Sequence, residues 1–251
     1  MKIIPLTMKF LLQKNKIPYD FQNLLIESQE YWNYRNKGKP EELQTKIEVF
    51  SEGDNIPAGE RYCPVGSVEF FEHHLGFHPI PHNIPDSLIE FFPGRIWKNG
   101  KELKTTRDPN VDIVPGMYMR KSMTTLKDSD NGVTYNLKGI GQETEWIDDV
   151  ESEWRCFIHG GKMVDARQYN YRVSPFSPSP SLEVVGRMIS VLPMTPGLTL
   201  DIGVTSSGIT FPIEVHDFFS CGLYGFSDLS LFPFMLWRTY IYLYDNKNKI
   251  N

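Results

Sequence analysis

The sequence predicts an α+β fold built mostly on antiparallel sheet, and three observations predict it. From Arg95 onward, short alternating segments are separated by glycine turns; of these, Asn99-Gly100 and Asn131-Gly132 are strong hairpin signals, and His159-Gly160-Gly161-Lys162 and Ser206-Ser207-Gly208 read as further turns. Apolar residues at helical spacing recur before, between and after those segments. The chain has 251 residues, 40% hydrophobic and 23% charged, which suits one large domain or two small interlocked ones with a proper core.

In chain order, Asn36 to Ala58 is polar, with Lys37, Lys39, Glu41 and Glu42, and reads as connections around a short helix or strand. Tyr62 to Phe71 passes from an extended piece into a helix: Ser67 suits the N-cap, Glu69 the first turn, and Phe70, Phe71 and His74 follow at helical spacing. A second short helix is expected from Asp86, after Pro85, ending at Pro93-Gly94. Strands are expected over Met117 to Ser122, Trp146 to Val150, Ser152 to His159, Met163 to Tyr171, Leu198 to Thr205 and Ile209 to His216. A helix is expected over Ser181 to Leu192, from Leu182, Val185, Met188, Ile189 and Leu192, and a buried closing helix over Leu231 to Tyr244. The Pro-rich stretch Val173 to Pro180 is the best boundary in the second half.

Several function classes recede. The longest apolar runs, such as Leu229 to Leu236, are too short to cross a bilayer. Pro5 and Lys9 argue against a secretory leader. A net charge of −5 argues against general nucleic-acid binding, which needs a basic face. Cys63, Cys156 and Cys221 lie far apart, which suits a reduced, cytoplasmic protein better than a disulfide framework or a zinc site. His73, His74, His78 and His82 lack metal-ligand spacing and read as ordinary polar residues.

Three constellations could carry chemistry. In the last hairpin, Thr199, Asp201 and Gly203 share one face and Leu200, Ile202 and Val204 the other. An even loop, such as a two-residue Ser207-Gly208 turn, sets Asp201 opposite Glu214; an odd loop without a bulge sets them on opposite faces. Facing carboxylates ask for a cation, yet two solvated carboxylates on an exposed face fit the same spacing. His216, two residues past Glu214, is a third candidate ligand or polar contact. In the second constellation, Glu153, Arg155 and Phe157 share a face; Glu153 and Arg155 could simply pair, or the Arg fork could meet a phosphate or acyl-phosphate oxygen. The third is Lys121, at the end of Met117 to Ser122, with Lys127 beyond it. Two lysines flanking a turn, with carboxylates and an arginine elsewhere, are the inventory for a nucleoside triphosphate and its magnesium. Neither a Walker A motif nor a G-x-G-x-x-G is present.

Five motifs then occur in one order: Cys63 to Phe70, Met119-Arg120-Lys121-Ser122 with Lys127, Glu153 to Phe157, Asp201 to Val204, and Ile213 to Asp217 with Gly222-Leu223-Tyr224-Gly225. In this order the chain, from about Tyr62 to Tyr244, resembles a compact ATP-grasp clade named for one Arg and two Lys, common in bacteriophages and bacterial conflict systems. The resemblance implies two α+β lobes gripping ATP between sheets, with residues 1–110 as an N-terminal substrate region, 111–251 as the ATP-grasp region, and a lobe boundary near 173–180. It implies an ADP-forming ligase that joins a carboxylate to an amine through an acyl phosphate, in the cytoplasm, or the host cytoplasm for a viral chain. The alternative is an inactive nucleotide-binding module or interaction domain. By the same resemblance, Lys121 and Lys127 contact ATP phosphates, and Arg155 stabilises the transferred phosphoryl group. Glu153 orients Arg155 or touches the nucleotide, and Asp201 and Glu214 bind magnesium. His216 stands where relatives carry Asn, which points to weaker magnesium binding, a preference for manganese, or coordination by Asp217 or water. The carboxylate and amine stay open, with a peptide or protein among the candidates.

Overall fold

The computed structural model describes residues 6–14, 19–56, 58–77, 84–94, 96–97, 102–104, 119–122, 129–130, 133–134, 138–144, 147, 149–169 and 176–250. The chain forms two compact units, one made of Met1–Phe77 with Phe218–Asn251 and the other of His78–Asp217. The division expected at residue 110 lies outside the described residues.

The first unit opens with strand β1 (Leu6–Leu12), helix α1 (Tyr19–Arg35), strands β2 (Thr45–Ser51) and β3 (Cys63–Val65), and helix α2 (Val68–Leu75). The three strands form a parallel sheet in the order β2-β1-β3, with Phe10 beside both Val49 and Cys63. Parallel neighbours need a crossover, and α1 supplies the one from β1 to β2. Its buried residues Phe21, Leu24, Leu25 and Ser28 fall at helical spacing. As expected, Ser67 caps α2 by accepting a hydrogen bond from the Phe70 amide.

The second unit carries β4 (Ile96–Trp97), β5 (Glu102–Lys104), β6 (Met119–Ser122), β7 (Ser129–Asp130), β8 (Val133–Thr134), β9 (Lys138–Thr144), β10 (Val150–His159), β11 (Lys162–Gln168), α3 (Leu182–Ser190), β12 (Gly197–Thr205) and β13 (Thr210–Asp217). The chain then returns to the first unit with α4 (Phe232–Ile250). The side chain of Asp228 accepts hydrogen bonds from the amides of Ser230 and Leu231, and Pro233 occupies the first turn, where a missing N–H costs nothing.

Strands β4, β5 and β6 each pair with β9, and β7 pairs with β8. Asp130 lies opposite Val133, which agrees with the hairpin expected at Asn131-Gly132. The segment starting at Asp86 is a 3-10 helix, Asp86–Phe91, rather than an α-helix, because Pro85 and Pro93 leave it too few residues. The strand expected over Trp146 to Val150 contributes Val150 to β10; Trp146 lies outside the described residues.

The expected antiparallel sheet is the four-stranded one, in the order β11-β10-β12-β13. One face meets the core, where Cys156 and Ile158 of β10 and Leu200 and Ile202 of β12 pack with Val185, Met188 and Ile189 of α3 and with Leu88 of the 3-10 helix. Every residue of β12 is buried, so both faces of this central strand are covered. At Gly203 the ring of Phe211 occupies the place of a side chain: an added Cβ would lie 2.5 Å from its Cζ. Phe211 is itself buried against Phe92. Gly203→Ala is therefore expected to cost about 1–3 kcal/mol by overpacking, read as a lower urea midpoint; an unchanged midpoint would mean that the ring moves freely.

Candidate active site

The other face of the four-stranded sheet is polar. Antiparallel pairing aligns residues in rows, because directly opposed residues point to the same side. One row runs Arg167, Arg155, Asp201, Glu214 across β11, β10, β12 and β13. The next contains Asp165, Phe157, Thr199 and His216, and on the other side Glu153 lies opposite Gly203.

The Asp201–Glu214 alignment has two causes. Thr205 accepts a hydrogen bond from Gly208 and donates its own amide to Ile209, which closes a three-residue loop, Ser206-Ser207-Gly208. Gly208 takes φ +84°, the left-handed conformation that ends such loops. This odd loop pairs Gly203 with Phe211 and Ile202 with Pro212, and on its own it would turn Glu214 to the core face. A bulge at Ile213 restores the register, so Asp201 meets Glu214.

Arg155, Asp201 and Glu214 are 6%, 2% and 7% exposed. Nε of Arg155 donates to Oδ1 of Asp201 at 2.8 Å and a terminal nitrogen to Oδ2 at 2.7 Å, a two-pronged pair; the same nitrogen lies 3.9 Å from Glu214. The guanidinium also lies 5.6 Å from the ring centre of Tyr169. Burial first, then the carboxylates of Asp201, Glu153 and Glu214, push the Tyr169 phenol up, so it stays a neutral hydroxyl. Nδ1 of His216 donates to the carbonyl oxygen of Asp217 at 2.8 Å. A carbonyl can only accept, so in the neutral ring the lone pair lies on Nε2. Burial pushes the Asp217 carboxyl up to about 7. On the core face, burial and then the Asp201 and Asp165 carboxylates push the Cys156 thiol up to about 12, which leaves it a poor nucleophile.

A model described as the ATP-grasp domain, R2K clade family 3, matches residues 91–236, more than half of the chain and all of this polar face. The chain belongs to this ATP-grasp family. Among solved structures it is similar to D-cycloserine synthetase DcsG, with a TM-score of 0.53 and 12% identity over 94% of this chain and 99% of that one. It is likewise similar to a D-alanine–D-alanine ligase from Bacillus anthracis, with a TM-score of 0.51 and 12% identity over 96% and 99%. At such identities these likenesses show the ATP-grasp fold. No curated protein matches the sequence.

Of the residues singled out in the sequence, the structure brings Arg155, Asp201 and Glu214 into one row and sets His216 and Glu153 in the rows beside it. Arg155 pairs with Asp201 across the ladder. Lys121 pairs through its backbone with Gln142, while its side chain and all of Lys127 lie outside the described residues. Among the described residues, no group of three or more His, Cys, Asp and Glu side chains is placed to hold a metal ion. Asp201 and Glu214, directly opposed on β12 and β13, are two carboxylates, the number that magnesium takes from protein before water and phosphate oxygens complete its shell. Among the described residues no helix is long and apolar enough to cross a membrane. Sequence reasoning missed Tyr169; its signal was an aromatic two residues past Arg167, just beyond the end of β11.

Proposed function

We propose that this chain is an ATP-dependent ligase that joins a carboxylate to an amine. The carboxylate oxygen takes the terminal phosphoryl group of ATP, releasing ADP; the amine nitrogen then attacks the acyl carbon, the acyl C–O bond breaks so that phosphate leaves with that oxygen, and the nitrogen gives up a proton. The observation that carries this reading is the buried Arg155–Asp201–Glu214 row within the region that matches the ATP-grasp family. Arg155, held rigid by Asp201, presents fixed positive charge to the transferred group and has no reorganisation to undergo when charge develops there. Glu153, one row away, orients Arg155 or contacts the nucleotide, and Lys121 and Lys127 meet the phosphates. Asp201 and Glu214, with His216 as third candidate, would hold magnesium, or manganese given the imidazole, and the ion would offset phosphate charge. A bacteriophage or bacterial source and action in the cytoplasm belong to the same reading.

A second reading, a nucleotide-binding module without turnover, draws support from the two-pronged pair, since both Asp201 oxygens already face a guanidinium. One titration addresses both. ATP with magnesium or manganese is expected to raise the melting temperature of the wild type, by about 2.7 kcal/mol of stabilisation at a hundredfold excess over Kd, and to leave that of Glu214→Gln unmoved. No shift with either metal would sink both nucleotide readings. A shift without ADP release, whatever amine and carboxylate are supplied, would favour the module.

A further inference from the structure

We infer that Thr199 is a further ligand-contacting residue of this site, its hydroxyl donating to an anionic phosphate oxygen of the bound nucleotide; the inference rests on the nucleotide-binding reading above. Thr199 is directly opposite Phe157 on one side and His216 on the other. It lies two residues from Asp201 on the same face of β12, roughly 7 Å along the strand. Its side chain is 0% exposed, and among the described residues its Oγ1 makes no hydrogen bond. A valine would fill the same volume in a buried strand without leaving a polar atom unmatched. Phe157 offers no acceptor, and His216 is held through Nδ1 by the Asp217 carbonyl. The hydroxyl rotates freely and can aim its hydrogen off the sheet, toward the face on which Arg155, Asp201 and Glu214 converge. The ligand that the proposed reaction brings to this face carries phosphate oxygens, the strong acceptors such a donor lacks.

The test measures ATP and ADP binding by calorimetry in the presence of magnesium, and the urea midpoint without nucleotide, for wild type, Thr199→Val, Thr199→Ser and Thr199→Ala. A hydrogen bond to a charged acceptor predicts a roughly tenfold or greater loss of affinity in Thr199→Val, near wild-type affinity in Thr199→Ser, and a ligand-free midpoint that stays or rises in Thr199→Val. A loss for ATP alone puts the hydroxyl at the terminal phosphate, and a loss for both nucleotides puts it further in. Affinities of Thr199→Val within twofold of wild type would overturn the inference. A lower ligand-free midpoint with unchanged affinity would overturn it too, by showing that the hydroxyl is satisfied within the fold. If Thr199→Val does not fold, the Ser and Ala variants, which differ only in the hydroxyl, decide the matter: equal affinities overturn it. A wild type that binds neither nucleotide overturns both this inference and the reading on which it rests, whereas a wild type that binds and a hydroxyl that does not matter overturns this inference alone.

Discussion

Arg155→Met is expected to lower stability by about 3–5 kcal/mol, measured as the change in unfolding free energy in urea. The substitution removes both charge-assisted hydrogen bonds to Asp201, a carboxylate only 2% exposed. Water cannot readily take the place of the guanidinium there, so the cost is that of a buried charge left poorly solvated. The double variant Arg155→Met with Asp201→Leu should recover most of the loss, because an apolar pair of similar volume does without the charges altogether. It should also show no ATP-dependent rise in melting temperature. Stability and nucleotide binding would thereby separate in one pair of proteins. A single variant as stable as the wild type would mean that the pair contributes nothing to the fold; a double variant that still responds to ATP would remove this row from the binding site.

The second large effect is expected in the other unit. Phe232→Ala should cost about 3–5 kcal/mol. Phe232 is 0% exposed at the head of α4, with Phe21 at 5.3 Å, Phe218 at 6.0 Å and Phe226 at 6.5 Å between ring centres. Phe21 and Phe218 also touch each other, so removing the central ring opens a space lined by rings that rotate but do not easily close inward. Phe232→Leu should cost markedly less. A loss under about 1 kcal/mol for the alanine variant would show that the cluster collapses around the missing ring.

The second unit was legible because its signals are local. Ser181 is an N-cap that accepts from Val184, His159 meets Lys162 across Gly160-Gly161, and alternation groups Arg155 with Phe157 on β10 and Asp201 with Thr199 and Gly203 on β12, while the side taken by Glu214 depends on the bulge at Ile213. The first unit hid its sheet. Parallel strands are joined by crossovers rather than by turns, so no Asn-Gly or Gly-Gly pair announces β1, β2 and β3. Alternation in β1 is blurred where Phe10, Leu11 and Leu12 are all buried, and α1 buries Ser28 in its apolar stripe. Within the site, spacing supplied the residues but not the pairing of Arg155 with Asp201, which depends on a register between residues 46 apart in the chain.

The bulge at Ile213 bears on how this hairpin can vary. Counted from the Thr205–Ile209 pair, the loop beyond it can change length without moving any residue of the ladder, whereas between that pair and the Asp201–Glu214 pair β13 holds one residue more than β12. The bulge absorbs that residue. Losing a loop residue, or losing Ile213 together with its bulge, would leave Asp201 facing Glu214; losing the bulge while keeping Ile213 would carry Glu214 to the apolar side. Related hairpins can therefore differ in loop length and still present one site, provided that each strand residue gained or lost comes with a bulge gained or lost.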